Sequence, residues 1–235
     1  MTCPPRSRVS GFTLAELAIV LVIIALLAGG MLLSLSTQSD MRDSGDTRKQ
    51  LADINEALLG FAASHSATDG RPYLPCPDTD NDGVEQPRSG SGVCPSQEGI
   101  LPWVTLGLAQ TDSWQNHYRY RVATGFSNGQ TGFYLGMPIT PANTLRVCDN
   151  AACNATILAS GLPVVVLSHG KNGLGAISAS GAANPVSSDA DELENGDGDN
   201  DFVSHTPTPG GFDDQVSWIS PNILFNRLIA AGRPL

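Results

Sequence analysis

Residues 17–39 carry no charged side chain. The run LAIVLVIIALLAGGMLLSL within them is long enough to cross a bilayer as a helix, which takes about 20 apolar residues. Only a helix suits this backbone in lipid, because hydrocarbon offers no partner to a free N–H or C=O. Arg6 and Arg8 precede the run, and no basic residue follows it before Arg42. That bias places the N-terminus in the cytoplasm and the bulk of the chain across the membrane.

An ordinary secretory signal also starts basic, but its apolar region is shorter and ends in a small-residue cleavage site. Here Glu16 lies in the first turns of a longer run. A carboxylate at the centre of a membrane helix costs roughly 2.5 kcal/mol on insertion scales, so Glu16 calls for a specific partner. A plain one-span anchor accounts for the length and leaves Glu16 without a reason.

Ser10-Gly11-Phe12-Thr13-Leu14-Ala15-Glu16, followed by the aliphatic run, resembles the prepilin signature of type IV pilins and type II secretion pseudopilins. The resemblance implies cleavage after Gly11 by a membrane aspartyl prepilin peptidase and methylation of the new amine on Phe12. It puts Glu16 at the fifth mature position, where the family carries its glutamate. In a filament that carboxylate would neutralise the Phe12 amine of a neighbouring subunit. Breaking one side of such a buried pair costs about 3–5 kcal/mol, so the pair sets the axial register. Ala15 stands where the family more often has a bulky aliphatic residue. Gly29-Gly30 replaces the mid-helix proline of many pilins, and each glycine weakens a helix by about 1 kcal/mol relative to alanine. The pair is read either as the place where the helix bends or melts on leaving the membrane, or as small residues for close helix packing.

The expected organisation is a leader over 1–11, a transmembrane helix half over 12–39, an amphipathic helix half over 40–66 and a globular α+β domain over 67–235. Leu51, Ile54, Leu58 and Phe61 or Ala62 recur at three- and four-residue steps, which lays an apolar stripe along the second helix half. From Phe12 to His65 the helix would span about 80 Å. Gly45 is its weak point, and Gly70-Arg71-Pro72 marks its stop. Strands are expected over 114–122, 132–137, 144–148, 162–168 and 214–219, with a closing helix over 221–231. Pro221 suits the first turn of that helix and Gly232 its end. A long helix followed by an antiparallel sheet is α+β, and the resemblance implies a pilin-like arrangement.

The five cysteines are Cys3, Cys76, Cys94, Cys148 and Cys153. Removing the leader leaves four, an even number that suits an oxidising compartment. Three connectivities are open. The local one, Cys76–Cys94 with Cys148–Cys153, is the expected pairing, since each bridge would hold a loop with little to pack. The longer loop would gain about 3 kcal/mol on the chain-entropy model. The chain holds 13 Lys and Arg against 23 Asp and Glu, a net charge of −10, which argues against nucleic-acid binding by its bulk. Asp78, Asp80 and Asp82, with Gly83, copy the first half of an EF-hand calcium loop, but Ser89 stands where that loop has glutamate. Asp197, Asp199 and Asp201 form a second, weaker calcium candidate. Asx-type turns are the competing, simpler reading of both loops. No other cofactor is expected.

No nucleophile–histidine–acid constellation is legible. His169 follows a buried strand, and Ser168 beside it is poorly placed for a triad. The chain therefore reads as a structural protein rather than an enzyme. It would be a minor pilin or pseudopilin, with an adhesin or ligand-binding module on a pilin-like stem as the alternative. Its expected partners are the prepilin peptidase, other pilin or pseudopilin subunits, the inner-membrane assembly platform and the lipid bilayer. Its expected place is the bacterial inner membrane with the C-terminal domain periplasmic, and then a periplasmic or surface filament.

Overall fold

The structure, a computed structural model, describes residues 12–154 and 156–235; the side chains of 28–36 fall outside the description. The leader, with Gly11, and the Gly29-Gly30 side of the helix therefore lie outside the described features. The chain divides into two compact units, the first ending at Arg42 and the second being Asp43–Leu235. Among the described residues no helix is long and apolar enough to cross a membrane. The expected span of 17–39 includes the undescribed side chains of 28–36.

Helix α1 runs over Leu14–Ser64. It does not break at Gly45, because the side chains around that glycine are tied down. Ser44 Oγ accepts from Gln215 Nε2 at 3.0 Å, and buried Thr47 donates to Ser113 Oγ at 3.0 Å. These contacts offset the weak helix propensity of glycine. Further on, Leu51, Ile54, Leu58 and Ala62 are all buried in the main core, as their spacing predicts. The stripe is edged by polar ties: Tyr118 donates to Gln50 Oε1 at 2.6 Å, and Asn55 donates to Ser217 Oγ at 2.7 Å.

Two sheets follow. The first has the order β1 (Glu98–Ile100), β2 (Arg119–Val122), β5 (Val164–Ser168), β7 (Gln215–Ile219), with every pair antiparallel. All five residues of β5 are buried. An interior strand covered on both faces is apolar throughout rather than alternating, which is how this segment reads. The second sheet has the order β4 (Ile157–Leu162), β3 (Leu145–Cys148), β6 (Asp201–Val203). Here the expectation of an antiparallel sheet is corrected, because β3 and β6 pair parallel. β4, β5 and α3 (Ala190–Glu194) all lie between them in sequence, the long crossover that a parallel pair needs. Only Pro163 separates β4 from β5, so the chain steps from one sheet to the other there.

Two expected strands are shortened or absent. Of 114–122 only Arg119–Val122 is a strand. Buried Asp112 turns the preceding backbone, its Oδ1 accepting from Trp114 N and Asn116 N at 2.9 Å, and Gln115 sits at φ 66°. Segment 132–137 is irregular, with a turn at Leu135-Gly136; Gly132 and Gly136 both take positive φ, outside the regular extended range of a strand. The closing helix α4 (Pro221–Ala230) forms as expected. Ser220 caps it by accepting from Ile223 N, and Leu224, Phe225 and Leu228 are buried. Short helix α2 (Trp103–Leu106) and a single 3-10 turn over Thr124–Phe126, which buries Phe126, complete the described elements.

Leu58 is fully buried on the α1 stripe. Leu58→Ala should lower the stability of the detergent-solubilised chain by about 2–5 kcal/mol. Urea unfolding checks this, with a lower midpoint and an unchanged slope as the expected result.

Candidate functional site

At the head of α1 the residues of the expected processing motif form a closed local arrangement. Thr13 directly precedes the helix and Glu16 is its third residue. Glu16 N donates to Thr13 Oγ1 at 3.2 Å. In return Glu16 Oε2 accepts from Thr13 N at 2.8 Å and from Thr13 Oγ1 at 2.9 Å. This is a capping box, in which the two residues satisfy each other's free amides. The signal was present as Thr13-x-x-Glu16. Reading Glu16 only as the partner of another subunit passes over it. Phe12, just before the cap, is almost fully exposed, and so is Leu14. From Ile19 to Ile24 every residue is a large aliphatic, and each is at least half exposed.

In the second unit Cys76 is joined to Cys94, and Cys148 to Cys153, with Cα–Cα distances of 5.5 and 5.3 Å. The longer loop is also held by Arg88. Its guanidinium pairs with Glu85 at 2.9 Å, donates to Leu74 O and Ser127 O, and lies over the Tyr73 ring. Inside this loop Asp78, Asp80 and Asp82 each bring one oxygen within 4.8 Å of the others. Both oxygens of buried Asp78 are already taken. Oδ1 accepts from Asp80 N and Asn81 N, and Oδ2 accepts from Gly83 N at 2.8 Å. Asp82 accepts from Val84 N. These are Asx turns that shape the loop. Gly83 is needed as glycine, since its φ is 81° and a Cβ would meet the Trp103 ring at 2.4 Å.

The histidine after β5 does not engage Ser168. The Ser168 hydroxyl donates to Asp112 Oδ2 at 2.6 Å, while His169 Nε2 accepts from Arg119 Nε at 3.2 Å. Arg119 also pairs with Glu98, which holds Arg121 as well.

A family description, the prokaryotic N-terminal methylation motif, matches residues 6–32. The chain carries that motif. It is the signature of type IV pilins and pseudopilins. No curated protein and no solved structure matches the chain. The methylation motif ends inside the aliphatic run and takes in the whole capping box. The 193 residues of the second unit lie beyond it.

In the second acidic loop the carboxylates that meet are Glu194, Asp199 and Asp201. Asp197, which the alternating spacing suggested, instead accepts from Asp199 N at 3.0 Å. Asp201 is paired with Arg146. Burial, and then the charges of Asp199, Asp197, Asp201 and Asp191, push the Glu194 carboxyl up to about 7. A carboxyl raised above its ordinary 4.5 binds its proton more tightly in the folded chain. Its contribution to stability is full at low pH and is lost as pH rises toward 7. Glu194→Gln should therefore flatten the fall in stability between pH 5 and pH 8. Urea midpoints at those two pH values, measured with a chelator present, check this; an unchanged slope would contradict it.

Proposed function

We propose that this chain is a structural subunit, a minor pilin or pseudopilin, of a type IV pilus-like or type II secretion filament. On this reading prepilin peptidase cuts after Gly11, the amine of Phe12 is methylated, and α1 passes from the inner membrane into a helical bundle. The observation that carries the proposal is the methylation motif at residues 6–32, with a carboxylate at its head. The exposure of Ile19 to Ile24 supports it. Six consecutive aliphatic residues on a helix point in every direction, so no single face can be covered by one partner surface. A helix that is apolar all round belongs inside lipid or inside a bundle of other helices.

The capping box gives Glu16 a state to leave from. In the separate subunit its carboxylate is satisfied by Thr13. In the bundle it would exchange that local partner for the Phe12 amine of a neighbour, gaining a charge partner in a low-dielectric setting. Only the correct axial offset allows this, so the exchange would select register. The size of the second unit favours a minor, priming or tip-associated role over the main repeating one.

A ligand-displaying module on the same stem is the second reading. A cavity of about 600 Å³ beside α3, lined in part by Leu174, Val186 and Leu193, favours it. That volume is in the range of small-molecule sites.

Two substitutions separate the roles of Glu16. Glu16→Gln keeps a capping-box partner and loses the charge. It should insert and be cleaved, yet be absent from sheared filaments. Thr13→Ala removes the cap at a cost of about 1 kcal/mol and should still assemble. Immunoblots of membrane and filament fractions read both. Glu16→Gln entering filaments at the wild-type level would refute the charge-pairing role.

A further inference from the structure

The two sheets have four edge strands, and three of those edges are closed. Beside β1, Asp78 and Ile100 exchange backbone hydrogen bonds in both directions, at 2.9 and 2.8 Å. On β6, buried Asn195 donates to Val203 O at 3.1 Å and accepts from Val203 N at 2.8 Å, as a neighbouring strand would. Along β4 the register with β3 shifts twice, and bulges of that kind spoil an edge as a template for pairing. The fourth edge, β7, has none of these devices. It pairs with β5 in unbroken register over all five residues, and Gln215–Ile219 holds no proline and no charge. Among the described residues its backbone bonds to β5 alone.

The open edge faces a groove of about 360 Å³, and Gln215, Val216 and Ser217 all line it. Successive side chains of a strand point to opposite faces, so three residues in a row meet the groove with the strand's edge. The walls are α1, with Arg48 and Asn55, and the segment 204–207. Two side-chain amides of the groove are half-satisfied. Asn55 Nδ2 donates to Ser217 Oγ and Gln215 Nε2 to Ser44 Oγ, but Asn55 Oδ1 and Gln215 Oε1 are buried without a hydrogen-bond partner. A buried polar atom left unpaired costs stability, so these two call for a donor. Arg48 is exposed and pairs with none of the described residues. The other charged groups of the groove are engaged, His205 with Asp191 and Asp214 with Asn195.

An extended peptide answers every part of this arrangement. Along one edge its N–H and C=O groups alternate at the spacing of β7's own. A helix cannot match that, because its backbone groups bond internally, and a compact small molecule lacks the repeat. The peptide's amides also supply donors to the orphaned oxygens of Asn55 and Gln215. A carboxylate on the peptide pairs with the free guanidinium of Arg48, whose fork of donors fits that group.

We propose that the groove between α1 and β7 binds an extended, acidic segment of a partner protein, which joins the first sheet as a further strand beside β7. In strand addition of this kind main-chain hydrogen bonds give affinity and side-chain contacts give specificity. The groove lies wholly within the unit Asp43–Leu235, and the proposal does not depend on the filament reading.

The test pans a displayed library of random linear peptides against immobilised full-length protein in detergent. The peptides retained should carry Asp or Glu and lack a central proline, which has no N–H to give the edge. A retained peptide, made synthetically and labelled, is then measured by fluorescence anisotropy. N-methylation of one alternate set of its amides should weaken binding about tenfold or more, since each lost hydrogen bond counts. Methylation of the other set should be tolerated, because only one edge of an added strand faces β7. Arg48→Glu should also weaken binding about tenfold or more, through like-charge repulsion. Arg71→Glu, outside the groove, should leave it unchanged. Hydrogen exchange at Gln215–Ile219 should slow when the peptide is bound. No enrichment of any peptide over the bare support overturns the proposal. So does a retained peptide that tolerates methylation of both alternate sets, or that binds the folded Arg48→Glu variant as it binds the wild type.

Discussion

Neither the second half of α1 nor strand β5 can be stable in water without cover. The helix presents Leu51, Ile54, Leu58 and Ala62 on one stripe, and the strand is buried along its whole length. An isolated amphipathic helix is marginal and gains most of its stability from the surface it packs on. The four-stranded sheet has the converse need, since its apolar face must be covered by another layer. Their shared core makes each a condition of the other. The polar ties at its edge, Gln50 to Tyr118 and Asn55 to Ser217, fix which way the helix lies.

Around that core the chain is rich in loops, and ion pairs and cross-links fasten them. Arg88 organises the loop closed by Cys76–Cys94. Asp112 shapes the turn before β2 and takes the Ser168 hydroxyl. Glu98 holds two arginines of β2. Cross-links of this kind suit an oxidising compartment, in which disulfides persist.

The elements legible in the sequence were those whose signal is local. The α1 stripe, the β-branched run of β5 and the Ser220-Pro221 start of α4 each declare themselves within a few residues. Strands β1 and β6 have three residues each and exist only through partners far away in sequence. No window of residues contains that information. Strand 114–122 was overextended because alternation is blind to Asp112, which draws the backbone into a turn two residues later. The same limit applies to sites. The methylation motif is contiguous and was read directly, although its capping box was not. Alternating aspartates drew attention to two loops, whereas the groove beside β7 exists only because α1 and the segment 204–207 flank one strand edge.

The account of function rests on a positive chain end, released by proteolysis, that answers the acidic side chain at the head of an apolar helix. The most direct measurement is the N-terminal sequence and intact mass of the protein purified from membranes of cells with an active prepilin peptidase. The account predicts a chain that begins at Phe12 and bears one methyl group on its amine. A mature chain that keeps Arg6 and Arg8, or that begins at any other residue, would contradict it.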